Sequence, residues 1–113
     1  MIIEKSNIDL NDIVTIKLSS QEELIARLVA QDAESITIQK PMVMNLSLDE
    51  RNGRPAIQML PFFLLGAKQD ARITLNRSHV IVLTLSNEEA KSGYIHNTSS
   101  LTVPTSGEKG LII

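Results

Sequence analysis

"SSQEELIARLVAQDAES", residues 19–35, carries two incompatible periods. Leu24, Ile25, Leu28 and Val29 recur at helical spacing, and Ser19 with Glu22, like Ser20 with Glu23, fits a capping box. At period two, Leu24, Ala26, Leu28 and Ala30 form one wholly apolar face, while Ile25, Arg27, Val29 and Gln31 form a mixed one. That second pattern suits a strand partly covered on its other face. A helix over Ser20 to Ala33 makes the chain an α+β domain; a strand makes it all-β. The local pattern leaves both open.

The flanking segments are less ambiguous. "VTIKL" alternates Val14, Ile16 and Leu18 with Thr15 and Lys17, the signature of a half-buried strand. In "SITIQKPMVMNLSL", Ile36 and Ile38 alternate strictly, and Met42, Met44, Leu46 and Leu48 resume the pattern after Pro41. Pro41 removes a ladder donor and so predicts an edge or a bulge. "DERNGRP", residues 49–55, contains Asn52-Gly53 and predicts the turn of a long hairpin. Its second arm, "AIQMLPFFLL", is interrupted by Pro61, and Leu60 to Leu65 reads as an oligomer contact or core strand before a partner-binding patch. "ARITLNRSHVIVLTL" supplies two further β segments around Asn76, Arg77 and Ser78, about five strands in all. After residue 85 the composition turns polar. Ser86 and Glu89 predict a turn or two of helix ending near Gly93, followed by a mobile tail. The organisation expected is therefore a domain over residues 1–85 and a polar extension over 86–113.

Composition narrows the chemistry. A chain of 113 residues supports one domain with one modest core. Eleven basic against 13 acidic residues, a formal charge of −2, provide no global field for phosphate backbones or anionic lipid. The absence of cysteine excludes disulfides, thiolate metal sites and a cysteine nucleophile. No segment approaches the ~20 apolar residues of a membrane span, and the amino end has no apolar run of signal-peptide length, so a cytoplasmic protein without membrane association is expected. Two histidines without metal-ligand spacing predict no metal, and no phosphate-binding glycine loop predicts a nucleotide cofactor. Adjacent Ser78 and His79 point apart in any strand and have no nucleophile elbow, so no enzyme is expected. Three aromatic residues, Phe62, Phe63 and Tyr94, are too few to line a base-stacking groove.

The spacing from Ile16 to Ile38, read as a unit, resembles the first motif of the Sm and Sm-like family, to which the bacterial Hfq proteins belong. That motif runs apolar, apolar, Gly, apolar, Gly, apolar, Asp, and the offsets here hold Ile16, Leu18, Gln21, Leu24, Ala26, Leu28 and Asp32. Gln21 and Ala26 replace the two glycines. Arg77, Ser78 and His79, between "ITLN" and Val80 to Leu85, are similar to the turn of the second motif. The resemblance covers residues 8–85 and turns the opening stretch into a long bent strand. It implies an all-β fold, a five-stranded, strongly bent antiparallel barrel of Sm-like (SH3-like) type, with a short amino-terminal helix over "SNIDLNDI". It also implies a homo-oligomeric ring of five to seven copies, in which an edge strand pairs with the last strand of a neighbour. Short divergent chains of this kind resemble those carried by bacteriophages.

In the family's RNA-binding members, U-rich or A-rich single strands bind around the ring pore, where a stacking group, an amide-type reader and a cation converge from two loops. By position, the resemblance puts these roles near Asp32 and on Glu34, Ser35 and Arg77, with His79 at the place of the histidine in a Lys-His turn. Glu34 has no stacking plane and repels phosphate, and Ser35 is a short reader. Arg77 and His79 are equally suited to be solvated turn residues, whereas Asp32 is expected to bond its own loop backbone rather than to read a base. Two functions follow: a ring acting as a single-stranded RNA chaperone, and a ring acting as a protein scaffold with the nucleotide pocket lost. Glu34, the acidic balance and the scarcity of aromatics favour the scaffold.

Overall fold

A computed structural model describes residues 2–3, 8–62 and 66–102. The chain is mostly β: β1 (Ile2–Ile3), β2 (Ile13–Leu18), β3 (Glu23–Gln31), β4 (Ser35–Leu48), β5 (Pro55–Pro61), β6 (Arg72–Asn76) and β7 (Val80–Leu85), followed by one helix, α1 (Glu88–Thr102). The strands lie in the order β1-β7-β2-β3-β4-β5, with β6 also paired to β4. All pairings are antiparallel except β1 with β7.

The opening stretch is a strand, and its two periods have separate causes. Leu24, Ala26 and Leu28 are fully buried in one aliphatic cluster with Val14, Ile16, Ile36, Ile38 and Leu83. Ile25, on the opposite face, is equally buried, but in a second cluster with Ile13, Met42, Ala90 and Tyr94. A strand covered on both faces mimics helical spacing, because consecutive apolar residues belong to different cores. The first cluster draws residues from β2, β3, β4 and β7, so one face of the sheet curls around a common core.

Two register slips bend β3 against β4. Ile25 pairs with Met42 but Arg27 with Gln39, so Lys40 and Pro41 stand opposite Ala26 alone. Pro41 is at the bulge its missing donor predicts, and Lys40 beside it has a φ of 52°. Farther along, Leu28 pairs with Ile38 and Ala30 with Thr37, leaving Val29 as the extra residue. The Pro41 bulge is also where β4 changes partners: Ser35 to Gln39 pair with β6, and Met42 to Leu48 pair with β5. The predicted hairpin turn forms at Asp49–Arg54. The Asp49 carbonyl accepts from Gly53 N at 2.7 Å, and Gly53 has a φ of 69°.

Two expectations are corrected. No helix forms over residues 8–13; the rest of "SNIDLNDI" lies outside the described residues. Asp12 N donates to Asp9 O at 3.2 Å, Asp12 Oδ2 accepts from Asp9 N at 2.8 Å, and Asn11 has a φ of 76°, so a tight turn with a left-handed residue stands in place of a helix. At the other end, the helix does not stop near Gly93 but runs to Thr102, and its cap is Asn87, whose Oδ1 accepts from Ala90 N at 2.8 Å. Ser86 bonds Thr15 Oγ1 at 2.8 Å and extends the β7–β2 ladder through its N–H to Ile13 O.

The buried helix stripe is narrow: Ala90 (5% exposed), Tyr94 (1%) and Thr98 (8%). Thr98 passes as apolar because its hydroxyl donates to Tyr94 O at 2.8 Å. Gly93 lets the helix sit close to β5, since a Cβ there would meet Met59 Cε at 3.3 Å. Through Ala90, Tyr94 and Thr98, α1 is packed on the sheet. The remainder of the expected mobile tail, 103–113, and Phe63 to Leu65 of the "LPFFLL" segment lie outside the described residues.

Candidate functional site

Asp32 closes the β3–β4 loop on itself. Its Oδ1 accepts from Glu34 N and Ser35 N, each at 2.8 Å, and from Ser35 Oγ at 3.3 Å. The expectation that Asp32 serves its own loop backbone is met. The Glu34 and Ser35 amides, with a smaller contribution from the Arg77 cation, hold its carboxyl below the usual aspartate value.

Arg77 opens the 3-10 turn Arg77–His79 between β6 and β7. Its Nε donates to Asp32 O at 2.6 Å, its Nη2 to Gln31 Oε1 at 2.7 Å, and its backbone N to Glu34 O at 2.9 Å. Asn76 caps the turn by accepting from Ser78 N at 2.9 Å. Asp32, Glu34, Ser35, Thr74 and Asn76 line a shallow depression of about 330 Å³. Four of the five sequence-predicted residues, Asp32, Glu34, Ser35 and Arg77, thus meet where loop and turn dock.

His79 does not join them. It faces the β2–β3 turn, where its Nδ1 makes a long 3.4 Å contact with Ser19 Oγ and its carbonyl accepts from Ser19 N at 2.8 Å. A 3-10 turn advances ~120° per residue, so positions 77 and 79 leave it in different directions. Sequence reasoning passed over Gln31 and Thr74. Gln31 was visible only as a polar residue at the end of a mixed face, and Thr74 becomes a neighbour only through the β4–β6 register, where it pairs with Thr37.

The patch is chemically self-contained. Its cation is committed to loop acceptors, and its carboxylate at position 32 is committed to amides. The exposed Glu34 side chain adds negative charge to the patch. A second cavity of about 260 Å³ lies between β4, β6 and α1, lined by Lys40, Pro41, Pro61, Lys68, Ile73 and Thr98, and holds none of the sequence-predicted residues. Among the described residues no cluster of three or more His, Cys, Asp or Glu could hold a metal ion, and no helix is long and apolar enough to cross a membrane. No protein-family model matches the chain, and no curated protein matches it significantly.

Proposed function

We propose that this chain is an Sm-like barrel that assembles into a homo-oligomeric ring and acts without catalysis as a protein scaffold. The observation that carries the fold reading is Gln21. It stands at the offset where the Sm motif has glycine, and its backbone has a φ of 85°, the left-handed conformation glycine adopts without strain. The strand order β7-β2-β3-β4-β6, with a 3-10 turn joining its two ends, supports the same reading. The outer edge of β6 has no partner among the described elements, and an unpaired edge is the surface on which a neighbouring copy continues a sheet.

The scaffold role draws on the state of the patch. Displacing Arg77 from its acceptors gives up two hydrogen bonds from a charged donor, both at the exposed surface and so modest in strength. Stacking would return about 1–3 kcal/mol per base, but only with a flat side chain, and none lines the depression. A second reading, binding of single-stranded U-rich or A-rich RNA, has one observation in its favour: the loop holding Asp32, Glu34 and Ser35 converges with Arg77 on one patch.

Mass by light scattering, with and without excess oligo-U and oligo-A at low and moderate salt, tests these readings. A mass of several chains, indifferent to both oligonucleotides, is expected. Added RNA mass that falls with salt and disappears in Arg77→Ala replaces the scaffold with the chaperone, and a monomer at every concentration removes the ring.

A further inference from the structure

The β4–β5 hairpin runs past the rest of the sheet. β3 last pairs with β4 at Val43, so beyond it β4 has only β5 as a partner among the described elements. Directly opposed residues of an antiparallel pair share a face. One face therefore carries Met42 with Pro61, Met44 with Met59, Leu46 with Ile57, and Leu48 with Pro55, all apolar. The other carries Asn45 with Gln58 and Ser47 with Ala56 beyond a single apolar pair, Val43 with Leu60.

The apolar face starts inside the molecule. Met42 is buried, and Met44 and Met59 pack against the cluster beneath α1. It then leaves the core without becoming polar: Leu46 is 77% exposed, Leu48 70% and Ile57 44%. A solvated hairpin needs no such face. We propose that the outer part of this face is a contact between two copies of this chain, packed hairpin against hairpin.

Two features select the occupant. Pro55 and Pro61 stand at the two ends of β5 and remove ladder donors there, so this edge is poorly suited to accept an added peptide strand, and the surface left to be covered is the face. The tip is charge-balanced, with Asp49 and Glu50 against Arg51 and Arg54, and Asp49 lies 3.5 Å from Arg51. A twofold contact brings identical surfaces together, so it excludes strongly charged ones; here, with Asp49 and Arg51 paired within each tip, Glu50 of one tip can meet Arg54 of the other. A patch built on three aliphatic side chains is well below the ~800 Å² per partner of a standard interface, so a single hairpin pair associates weakly. The contact goes beyond the ring reading and stands with or without it.

Sedimentation equilibrium of the full-length protein over a wide concentration range tests the proposal, comparing wild type with Leu46→Asp and with Asn45→Asp. Both positions are exposed, so circular dichroism should show both variants folded, and the two make the same charge change on opposite faces. The expected result is a concentration-dependent mass that Leu46→Asp lowers twofold, or whose midpoint it raises at least tenfold, while Asn45→Asp matches wild type. An assembly of fixed mass in all three proteins overturns the hairpin contact and leaves the ring standing. Equal loss in both variants overturns it as well, since charge and not the apolar face would then be responsible. A monomeric wild type overturns the contact and the ring together. A dimer that becomes monomeric only in Leu46→Asp supports the contact without a ring.

Discussion

Replacing Gln21 with glycine should make this protein more stable. In the Ser19–Gln21 turn, Leu18 N donates to Glu22 O at 3.0 Å and Gln21 N to Leu18 O at 2.9 Å, which fixes Gln21 at a φ of 85°. A side chain in the left-handed region costs about 1–2 kcal/mol, which glycine avoids. Against this, glycine's greater freedom in the unfolded chain costs about 0.5–1 kcal/mol. The side chain is exposed and contributes to neither core, so the net gain for Gln21→Gly is about 0.5–1 kcal/mol. For a domain near 100 residues that corresponds to a Tm roughly 2–6 °C higher. Thermal melts followed by circular dichroism at one fixed protein concentration measure it; the concentration matters because association itself shifts Tm. Ser20→Gly is the comparison in the same turn without a positive φ: it combines the entropic cost of glycine with loss of the Ser20 Oγ–Glu22 Oε1 bond, and therefore lowers the Tm. Gln21→Ala retains a Cβ and should leave the Tm near wild type. A neutral or destabilising Gln21→Gly, or one indistinguishable from Ser20→Gly, refutes the assignment of strain to this position.

The Tyr94 hydroxyl donates to Lys40 O at 2.9 Å, and burial pushes its pKa up to about 12, so the neutral form's stability is present below pH 10 and is lost as pH rises from there toward 12. Because this is the only tyrosine and there is no tryptophan, tyrosinate absorbance reports it directly, and Tyr94→Phe should cost about 1–2 kcal/mol in urea melts by leaving the Lys40 carbonyl unpaired. Asp32, with its pKa lowered chiefly by the Glu34 and Ser35 amides, stabilises the fold above the ordinary aspartate range and loses that contribution as pH falls through its depressed value; Asp32→Asn should flatten the Tm-versus-pH profile on the acid side of that range. Ala26 is fully buried opposite Val14, and Ala26→Leu should cost about 1–3 kcal/mol through overpacking, read as a lower urea midpoint with unchanged slope. Deleting Ile2 and Ile3 should lower the concentration at which copies assemble, read as the midpoint of mass against concentration, because these residues pair with Val82 and Leu83 on the edge of β7.

What the sequence makes legible depends on whether the cause is local. Asn52-Gly53 and Pro41 act through their own backbone chemistry, and the turn and the bulge form where they stand. Residues 19–35 remain ambiguous because the reason for Ile25's burial, Tyr94 and Ala90 on α1, lies some 65 positions downstream. The helix is underestimated because its inward stripe is an alanine, a tyrosine and a threonine whose hydroxyl bonds its own helix, with Gly93 in the middle. At the candidate site the motif offsets find Asp32 and Arg77, yet they carry no information on direction. The 3-10 turn sends His79 to Ser19 and leaves Arg77 to clamp the loop it was expected to share with a ligand.

The exposed edges of this sheet are managed in different ways, and the difference constrains assembly. β5 is flanked by prolines, and β7 is covered over Val82 and Leu83 by a parallel two-residue strand. β6 carries neither device; it is short and alternates exposed Arg72, Thr74 and Asn76 with half-buried Ile73 and Leu75. A β6-to-β7 contact between copies is heterologous, and such contacts either close into rings or grow into filaments. It must also displace two residue pairs of β1, a small cost that a full strand ladder outweighs. The hairpin contact is isologous: it pairs surfaces twofold and cannot propagate alone. The two proposed contacts would use separate surfaces and separate symmetries, so perturbing one should leave the other intact, and their effects on assembly should add. Leu46→Asp then halves the mass of the assembly, whereas removing Ile2 and Ile3 shifts the concentration at which it forms. A double variant that departs from the sum of these effects would mean that the two contacts share a surface, and the separation drawn from the strand order would be wrong.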